Sequence, residues 1–305
     1  MSLLANPLVT SEQLFQRRSV GALPIEIQDA IFFATQSLTQ AAGILLELPQ
    51  SVTAQANVLL ARYWLVENMM ADEFSVRTLL PLLPPSPEAN RSQDVSAAIL
   101  YLTAKLSSHP RSPRELSAIY SYLLSKSSPF FRTQQLQNLP KYVPPPESHY
   151  QSFRPRLLTL ESRILAALSF NTHVALPHPL AITYLQSLDF FCHPRREALA
   201  RRTIAYLNTA LLSPQLLYTT HQPHALAVAA IYCAARDLGA KMPECEWWEV
   251  FDVEREELGF LVVGMRSVEG WARERLMVEV PTSEGGMITR GDVERVLRER
   301  EEKRG

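Results

Sequence analysis

The sequence predicts an all-α protein built from two successive sets of five helices. Apolar residues recur at intervals of three to four along most of the 305 residues, which is the period of an α-helix. Few segments alternate between apolar and polar residues as strands do, and only 10 residues are Gly. The length is twice that of an ordinary domain of about 150 residues, which favours two domains.

Serine caps and a proline-rich loop delimit the first three predicted helices. Ser51 follows Pro49 and can cap the second helix, and Ser92 can cap the third. Residues 82–87 contain three prolines and are therefore predicted to form a loop between the second and third helices. The three helices are predicted over residues 25–46, 51–69 and 93–106.

A capping box marks the start of the fourth helix. Ser112 is placed to cap it, Pro113 fits its first position, and Glu115 can bond back to the serine. Three consecutive prolines precede the fifth helix, which is predicted over residues 147–168 and is expected to bend near Pro155.

The helical pattern then begins again after Pro177 and Pro179. Gly239 is expected to end the third helix of this second set, because glycine readily adopts the left-handed conformation found at helix ends. The second set is predicted over residues 180–191, 195–212, 224–238, 246–251 and 254–275. Residues 292–304 are charge-dense and predict a solvated helix in a carboxyl-terminal tail.

A weak internal repeat relates the two sets. Residues 97–106 and 228–237 align at an offset of 131, and both segments are rich in alanine. Because alanines let neighbouring helices approach closely, the repeat predicts one central, surrounded helix in each half. Chance likeness between two alanine-rich helices is the alternative. The matched pairs are Ala98 with Ala229, Tyr101 with Tyr232, Ala104 with Ala235 and Lys105 with Arg236.

Charge and cysteine content exclude several classes of protein. The chain has 30 Lys and Arg against 31 Asp and Glu, so it lacks the basic excess typical of proteins that coat nucleic acid. Cys192, Cys233 and Cys245 are too few and too far apart for a disulfide framework or a standard zinc module. We therefore expect a reducing, intracellular environment.

No signal peptide or membrane span is expected either. The amino-terminal residues lack a basic segment followed by an apolar run. Residues 165–188 and 203–235 are free of charged side chains, but prolines and polar residues interrupt both stretches. Buried core helices of a soluble protein explain them better than membrane spans do.

The chain contains none of the common catalytic motifs, such as a glycine-rich phosphate loop, a nucleophile elbow or a zinc-binding HExxH sequence. His221 and His224 are three residues apart, but no acidic residue lies within ten positions, so a structural role is favoured over a metal site. Nothing near Cys245 would activate it as a nucleophile. We expect a binding module without metal or cofactor, and not an enzyme.

Glu161 is the one charged residue in an unexpected place. Leu157, Leu158, Ile164 and Leu165 flank it at helical spacing. A carboxylate among apolar neighbours is costly unless it is paired or lies at the rim of the core. The residues alone leave open a surface position or an internal salt bridge with Arg163 or Lys105.

Four segments in order resemble the cyclins, and most closely the transcription-type group that includes cyclins L, M, K and T. The segment AGILLELPQSVTAQANVLLARYWLVENM is similar to the first two box helices of cyclin L, and the element WWEVF is similar to cyclin M. The resemblance implies two cyclin boxes, an amino-terminal extension and a charged tail. The other segments are residues 97–123, 160–188 and 221–258, and the implied domains are residues 1–24, 25–176, 177–275 and 276–305.

The resemblance implies the regulatory subunit of a cyclin-dependent kinase that acts in RNA polymerase II transcription or RNA processing in the nucleus. Lys105 and Glu161 occupy the places of the family's lysine and glutamate that contact the C-helix region of the kinase. Leu106, Leu165 and Phe170 occupy places of hydrophobic contacts on the kinase-binding face. The implied mechanism is allosteric, because docking would stabilise the active position of that helix.

Two departures from the family leave other functions open. Ser107 and Ser108 replace the acidic pair that follows the family's lysine, and residues 80–93 form an insertion. A cyclin-fold scaffold without kinase activation is one alternative. A nucleic-acid-binding protein similar to transcription factor IIB is another, although no zinc ribbon or basic groove is visible in the sequence.

Overall fold

The regular structure in the computed structural model is helical throughout the residues that it describes, which are 5–17, 23–67, 91–125, 128, 142–192, 194–279 and 290–302. These ranges contain no strand, which confirms the all-α prediction. Single 3₁₀ turns occur at Phe190–Cys192 and Glu249–Phe251. The α-helices are α1 (Ser11–Gln16), α2 (Ile25–Leu45), α3 (Gln50–Val66), α4 (Arg91–Leu106), α5 (Pro113–Leu123), α6 (Glu147–Ala167), α7 (Pro177–Ser187), α8 (Arg196–Leu211), α9 (Leu217–Thr220), α10 (Pro223–Leu238), α11 (Arg255–Glu279) and α12 (Arg290–Glu302).

The chain divides into two compact units. The first unit comprises Ser11–Thr172 and Glu274–Gly305, and the second comprises Met1–Thr10 and His173–Arg273. Helices α1 to α6 and α12 belong to the first unit, and α7 to α10 belong to the second together with most of α11. The domain boundaries expected after residues 24, 176 and 275 stay a prediction.

Helix α4 is the buried centre of the first unit. It packs against α2, α3, α5 and α6, and its Ala98 and Ala104 are at most 1% exposed. These small side chains let the neighbouring helices approach at the density of a protein interior. Ser96 of the same helix joins a buried chain of hydroxyl groups with Thr39 and Tyr120, in which both oxygen–oxygen distances are 2.7 Å.

Helix α10 takes the same place in the second unit. It packs against α7, α8 and α9, and its Ala229 and Ala235, which the repeat aligns with alanines of α4, are fully buried. Gly239 ends the helix as predicted, with φ of 62°. The N–H of Ala240 reaches back to the carbonyl of Ala235 at 2.9 Å and completes the left-handed cap.

Residues 5–10, which belong to the predicted amino-terminal extension, are held on the second unit by Asn6. The amide nitrogen of its side chain donates to the carbonyl of Ala175 at 2.8 Å, and its amide oxygen accepts from the N–H of Ala175 at 2.8 Å. The backbone of Asn6 makes a second reciprocal pair, at 3.0 Å each way, with the side-chain amide of Gln222. Asn6 is 6% exposed, so this clamp is part of the folded unit.

The predicted capping box is confirmed, and the other two predicted serine caps are wrong. Ser112 and Glu115 each accept a hydrogen bond from the other's backbone N–H. Helix α3 begins at Gln50, with Pro49 as its N-cap residue, and Ser92 lies inside α4. Pro49 already holds an extended conformation that suits a helix start, so Ser51 falls in the first turn instead of before it.

The first and fourth predicted helices of the second set differ most from what the sequence predicts. Helix α7 begins at Pro177, because a proline at the first helical position loses no hydrogen bond, and it ends at Ser187. The helix predicted over residues 246–251 is only the 3₁₀ turn Glu249–Phe251, which ends at Asp252 with φ of 57°. So short a segment forms too few α-helical bonds to offset the cost of nucleation. Helices α1 and α9 have no predicted counterpart.

The remaining expectations from the sequence concern the proline loop, membrane spans, metal sites and His221. The proline loop at residues 82–87 lies outside the described residues. Within the described ranges, no helix is both long and apolar enough to span a membrane. The same ranges contain no group of three His, Cys, Asp or Glu residues that could hold a metal ion. The ring of His221 stacks on Phe260 with centroids 5.3 Å apart, which gives this histidine a packing role.

Candidate functional site

Lys105 at the end of α4 and Glu161 in α6 form an ion pair. The Nζ atom of Lys105 lies 3.0 Å from Oε1 of Glu161. Glu161 is 7% exposed, whereas 56% of the Lys105 side chain is exposed. The hydrogen bond to Glu161 and the attraction of its charge raise the pKa of Lys105. The pair with Lys105, one of the alternatives that the sequence leaves open for Glu161, is present in the structure.

The packing of α6 places the carboxylate of Glu161. Leu157 and Ile164, one turn before and one turn after it, are at most 1% exposed and turn this face of the helix inward. A carboxylate carried to this position loses hydration and needs a compensating charge. Lys105 provides that charge, and its Nζ atom lies 5.6 Å from the centre of the Tyr101 ring.

Exposed apolar side chains adjoin the ion pair on both helices. Leu106 follows Lys105 and is 57% exposed. Leu158 and Leu165 lie three residues before and four residues after Glu161, which puts them on the same face of α6. Leu165 is half-buried and Leu158 is 39% exposed. Leu158 is missing from the predicted contacts, although its spacing from Glu161 is the signal that identifies it.

Phe170 is fixed by an unusual turn at the end of α6. Ser169 and Phe170 both have left-handed backbones, with φ of 49° and 60°. The N–H of Ser169 bonds to the carbonyl of Ala166 at 3.0 Å, and the N–H of Phe170 bonds to that of Leu165 at 2.8 Å. This is the bonding pattern of a Schellman cap, which brings the residue after the turn beside the last turn of the helix. The Phe170 side chain is held there with 73% of its surface exposed.

The predicted site residues therefore fall on two packed helices of one unit and on the turn that ends the second of them. The structure brings Lys105 and Glu161 into contact and joins Leu165 to Phe170 through the backbone. The arrangement offers one exposed ammonium group in apolar surroundings, which suits the docking of another protein. We call the following six side chains the α4–α6 patch: Lys105, Leu106, Leu158, Glu161, Leu165 and Phe170.

The Ser107 side chain makes two hydrogen bonds to the backbone where the chain leaves α4. Its hydroxyl donates to the carbonyl of Ala104 at 2.8 Å and accepts the N–H of His109 at 3.0 Å. The hydroxyl thus satisfies a carbonyl at the end of α4 and a donor of the following loop. An acidic residue at this position would meet the negative end of the helix dipole instead.

Comparison with known proteins decides the family. No family model matches the chain. Cyclin-L2 of Rattus norvegicus is 28% identical over 258 residues, which cover 84% of this chain and 43% of cyclin-L2. An uncharacterised cyclin-L1-like protein of Schizosaccharomyces pombe is 31% identical over 223 residues, which cover 73% of this chain and 76% of that protein. The chain belongs to the cyclin family.

Solved structures share the fold of this cyclin. A chain of the yeast RNA polymerase II CTD kinase CTDK-1 complex superposes with a TM-score of 0.62 at 14% identity, covering 98% of this cyclin and 84% of that chain. A chain of the CAK complex of Chaetomium thermophilum bound to ATP-gamma-S superposes with a TM-score of 0.57 at 13% identity, covering 96% and 84%. The sequence relatives make this cyclin L-like, as the resemblance predicts, and it spans less than half the length of the mammalian cyclin-L2.

Proposed function

We propose that this cyclin is the activating subunit of a cyclin-dependent serine/threonine kinase and binds that kinase through the α4–α6 patch. It acts in RNA polymerase II transcription or RNA processing, in the nucleus, and it is not itself an enzyme. The observation that carries the proposal is the ion pair of Lys105 and Glu161 among exposed apolar side chains. The yeast structure with this fold is of an RNA polymerase II CTD kinase complex, which supports the same setting.

Activation follows from differential binding. A protein kinase is active when an ion pair joins a strand lysine to a glutamate of its C-helix. A cyclin that binds the kinase more tightly with this helix inward shifts the population towards the active state. The patch suits a mobile amphipathic helix, because Leu106 and Phe170 can cover the apolar face of that helix while Lys105 donates hydrogen bonds to its polar edge.

Glu161 has an indirect part in this scheme. Because Lys105 already balances its charge, the partner does not have to desolvate a bare carboxylate on docking. The ammonium group of Lys105 has three donors and uses one of them on Glu161, so it can also donate to a carbonyl or carboxylate of the kinase.

Charge placed on the apolar part of the patch tests the proposal. We expect Leu106→Arg to weaken binding and activation of the co-purified kinase at least about tenfold, since an interfacial apolar contact is replaced by an unpaired charge. Leu106 is 57% exposed, so the free energy of unfolding should change little.

Val143→Arg is the matched control, because Val143 is an exposed apolar residue of the first unit outside the patch, with 78% of its surface exposed. The control should bind and activate the kinase normally. Equal kinase binding by both variants would refute the assignment of the patch.

A further inference from the structure

Ser112, at the start of α5, is a candidate site for modification. The described part of the chain contains three serines that are directly followed by proline. Ser128 and Ser213 are at most 1% exposed, which closes them to another enzyme. Ser112 is exposed, as is the hydroxyl's partner Glu115. Among the serines before proline that the structure describes, exposure thus singles out Ser112, in the pair Ser112–Pro113.

The backbone at Ser112 has the conformation that an acceptor serine needs. Its φ of −78° and ψ of 149° are those of an extended residue. Pro113 enforces this geometry, because its ring excludes the helical conformation for the residue before it. A kinase that binds an extended serine–proline segment in its cleft would therefore not have to change the backbone conformation of Ser112.

The surroundings of Ser112 would respond to a phosphate group. Its hydroxyl lies 2.8 Å from Oε2 of Glu115, and its N–H donates to the same oxygen at 2.7 Å. These bonds from Ser112 lower the pKa of Glu115, so the carboxylate is charged at neutral pH. A phosphate carries a charge of about −1.5 to −2 at pH 7 and would repel this carboxylate.

Positive groups flank Ser112 along the chain. The first N–H groups of α5 form the positive end of a helix dipole. The Nε atom of Arg111, next to Ser112, is buried and has no hydrogen-bond partner among the described residues, while another nitrogen of the same guanidinium group donates to the carbonyl of Glu47 at 3.4 Å. Arg114 is two residues further on and makes two bonds to Glu147, at 2.7 and 2.8 Å.

We propose that Ser112 is phosphorylated by a proline-directed serine/threonine kinase, and that the phosphate then replaces Glu115 in capping α5. The donor is ATP: a bond forms between Oγ of Ser112 and the γ-phosphorus as the bond to ADP breaks. The hydroxyl proton passes to the catalytic base of the kinase. The modification adds a charge of about −1.5 to −2 at Ser112, seven residues after Lys105, to a loop (residues 107–112) that contains one arginine, Arg111.

Phosphorylation of the purified full chain by a mitogen-activated protein kinase tests the acceptor. This kinase is proline-directed and needs no cyclin, so the outcome does not depend on the function proposed for the patch. We expect mass spectrometry to locate phosphate on Ser112. The rate of phosphorylation at Ser112 should fall at least about tenfold in Pro113→Ala. It should be unchanged in the control Ser108→Ala, because Ser108 is an exposed serine that is followed by histidine and not by proline. Absence of phosphate on Ser112, or equal rates with and without Pro113, would overturn the proposal.

A second measurement tests the change of cap. In the unmodified chain, Glu115→Gln should lower the melting temperature by about 2–4 °C, because it weakens the capping box. In the phosphorylated chain the same substitution should leave the melting temperature unchanged or raise it, because the carboxylate it removes is repelled. An equal loss in both forms would show that the phosphate does not take over the cap.

Discussion

At the scale of single residues, the site depends on a carboxylate that tertiary packing brings inward. Glu161 lies between Leu157 and Ile164 on the inner face of α6, and Lys105 reaches it from the end of α4. Removing one partner of such a pair leaves an unpaired charge, whereas replacing both by apolar groups removes the need for either. The ion pair thus balances the charge of the inward Glu161 and is not needed for the stability of the fold, because a pair of apolar side chains could take its place.

We expect Lys105→Met to lower the free energy of unfolding by about 1–3 kcal/mol, because it leaves the carboxylate of Glu161 without its partner. The loss stays below that of a fully buried pair, since the lysine is half exposed. The double variant Lys105→Met/Glu161→Leu should recover most of it. Chemical denaturation of the three proteins measures this cycle, and additive losses would contradict it.

Asp237 in the second unit gives a prediction about pH. Burial alone would raise its pKa, but hydrogen bonds from Tyr206, Arg202 and Arg266 outweigh burial and hold the pKa at about 2. A lowered carboxyl pKa stabilises the fold above the unfolded pKa of about 4, and this stabilisation is lost as the pH falls through about 2.

Asp237→Asn should therefore lower the free energy of unfolding by about 2 kcal/mol at pH 7. The difference from the parent protein should shrink as the pH is lowered from 5 towards about 2. Denaturation at a series of pH values measures it, and a difference that stays constant over this range would contradict the role given to Asp237.

At the scale of elements, the amino-terminal segment is fixed by the Asn6 clamp. We expect Asn6→Ala to destabilise the second unit by about 2 kcal/mol, because the buried N–H and carbonyl of Ala175 lose their partners. Pro7→Ala, at the exposed neighbouring residue, is the control and should change stability little. If the two variants had equal unfolding free energies, the clamp would not hold the segment.

Two strong local signals in the sequence predicted helix ends correctly, whereas contacts between distant residues could not be predicted. The capping box of α5 lies within four residues, and glycine at position 239 favours the left-handed conformation that ends α10. Ser169 adopts the same conformation without glycine, so no residue type in the sequence marks this turn. Asn6 binds a residue 169 positions away, and no local pattern encodes such a pairing.

The candidate site lies between these two cases. Helical spacing around Glu161 showed that its position needs compensation, but it could not choose among Lys105, Arg163 and a surface position. The family resemblance supplied the remaining residues. The exposure of Leu158 and the backbone turn that holds Phe170 required coordinates.

At the scale of the whole molecule, the two units differ in how the charged residue near the end of the central helix is paired. In the first unit, Lys105 at the end of α4 meets one carboxylate and remains half exposed. In the second, Asp237 near the end of α10 is bound by Arg202 and Arg266 and is only 18% exposed. The second arrangement satisfies its own charges, whereas the first leaves an ammonium group and apolar side chains for a partner.

Hydrogen–deuterium exchange on this cyclin, alone and bound to its co-purified kinase, tests the central claim most directly. We expect slower exchange on binding in the last turn of α4, in the loop that follows α4, in residues 158–167 of α6, and in the turn through Phe170. Exchange around Phe260 of α11, an exposed apolar residue of the second unit, should not change. Protection confined to the second unit, with none at the α4–α6 patch, would contradict the account.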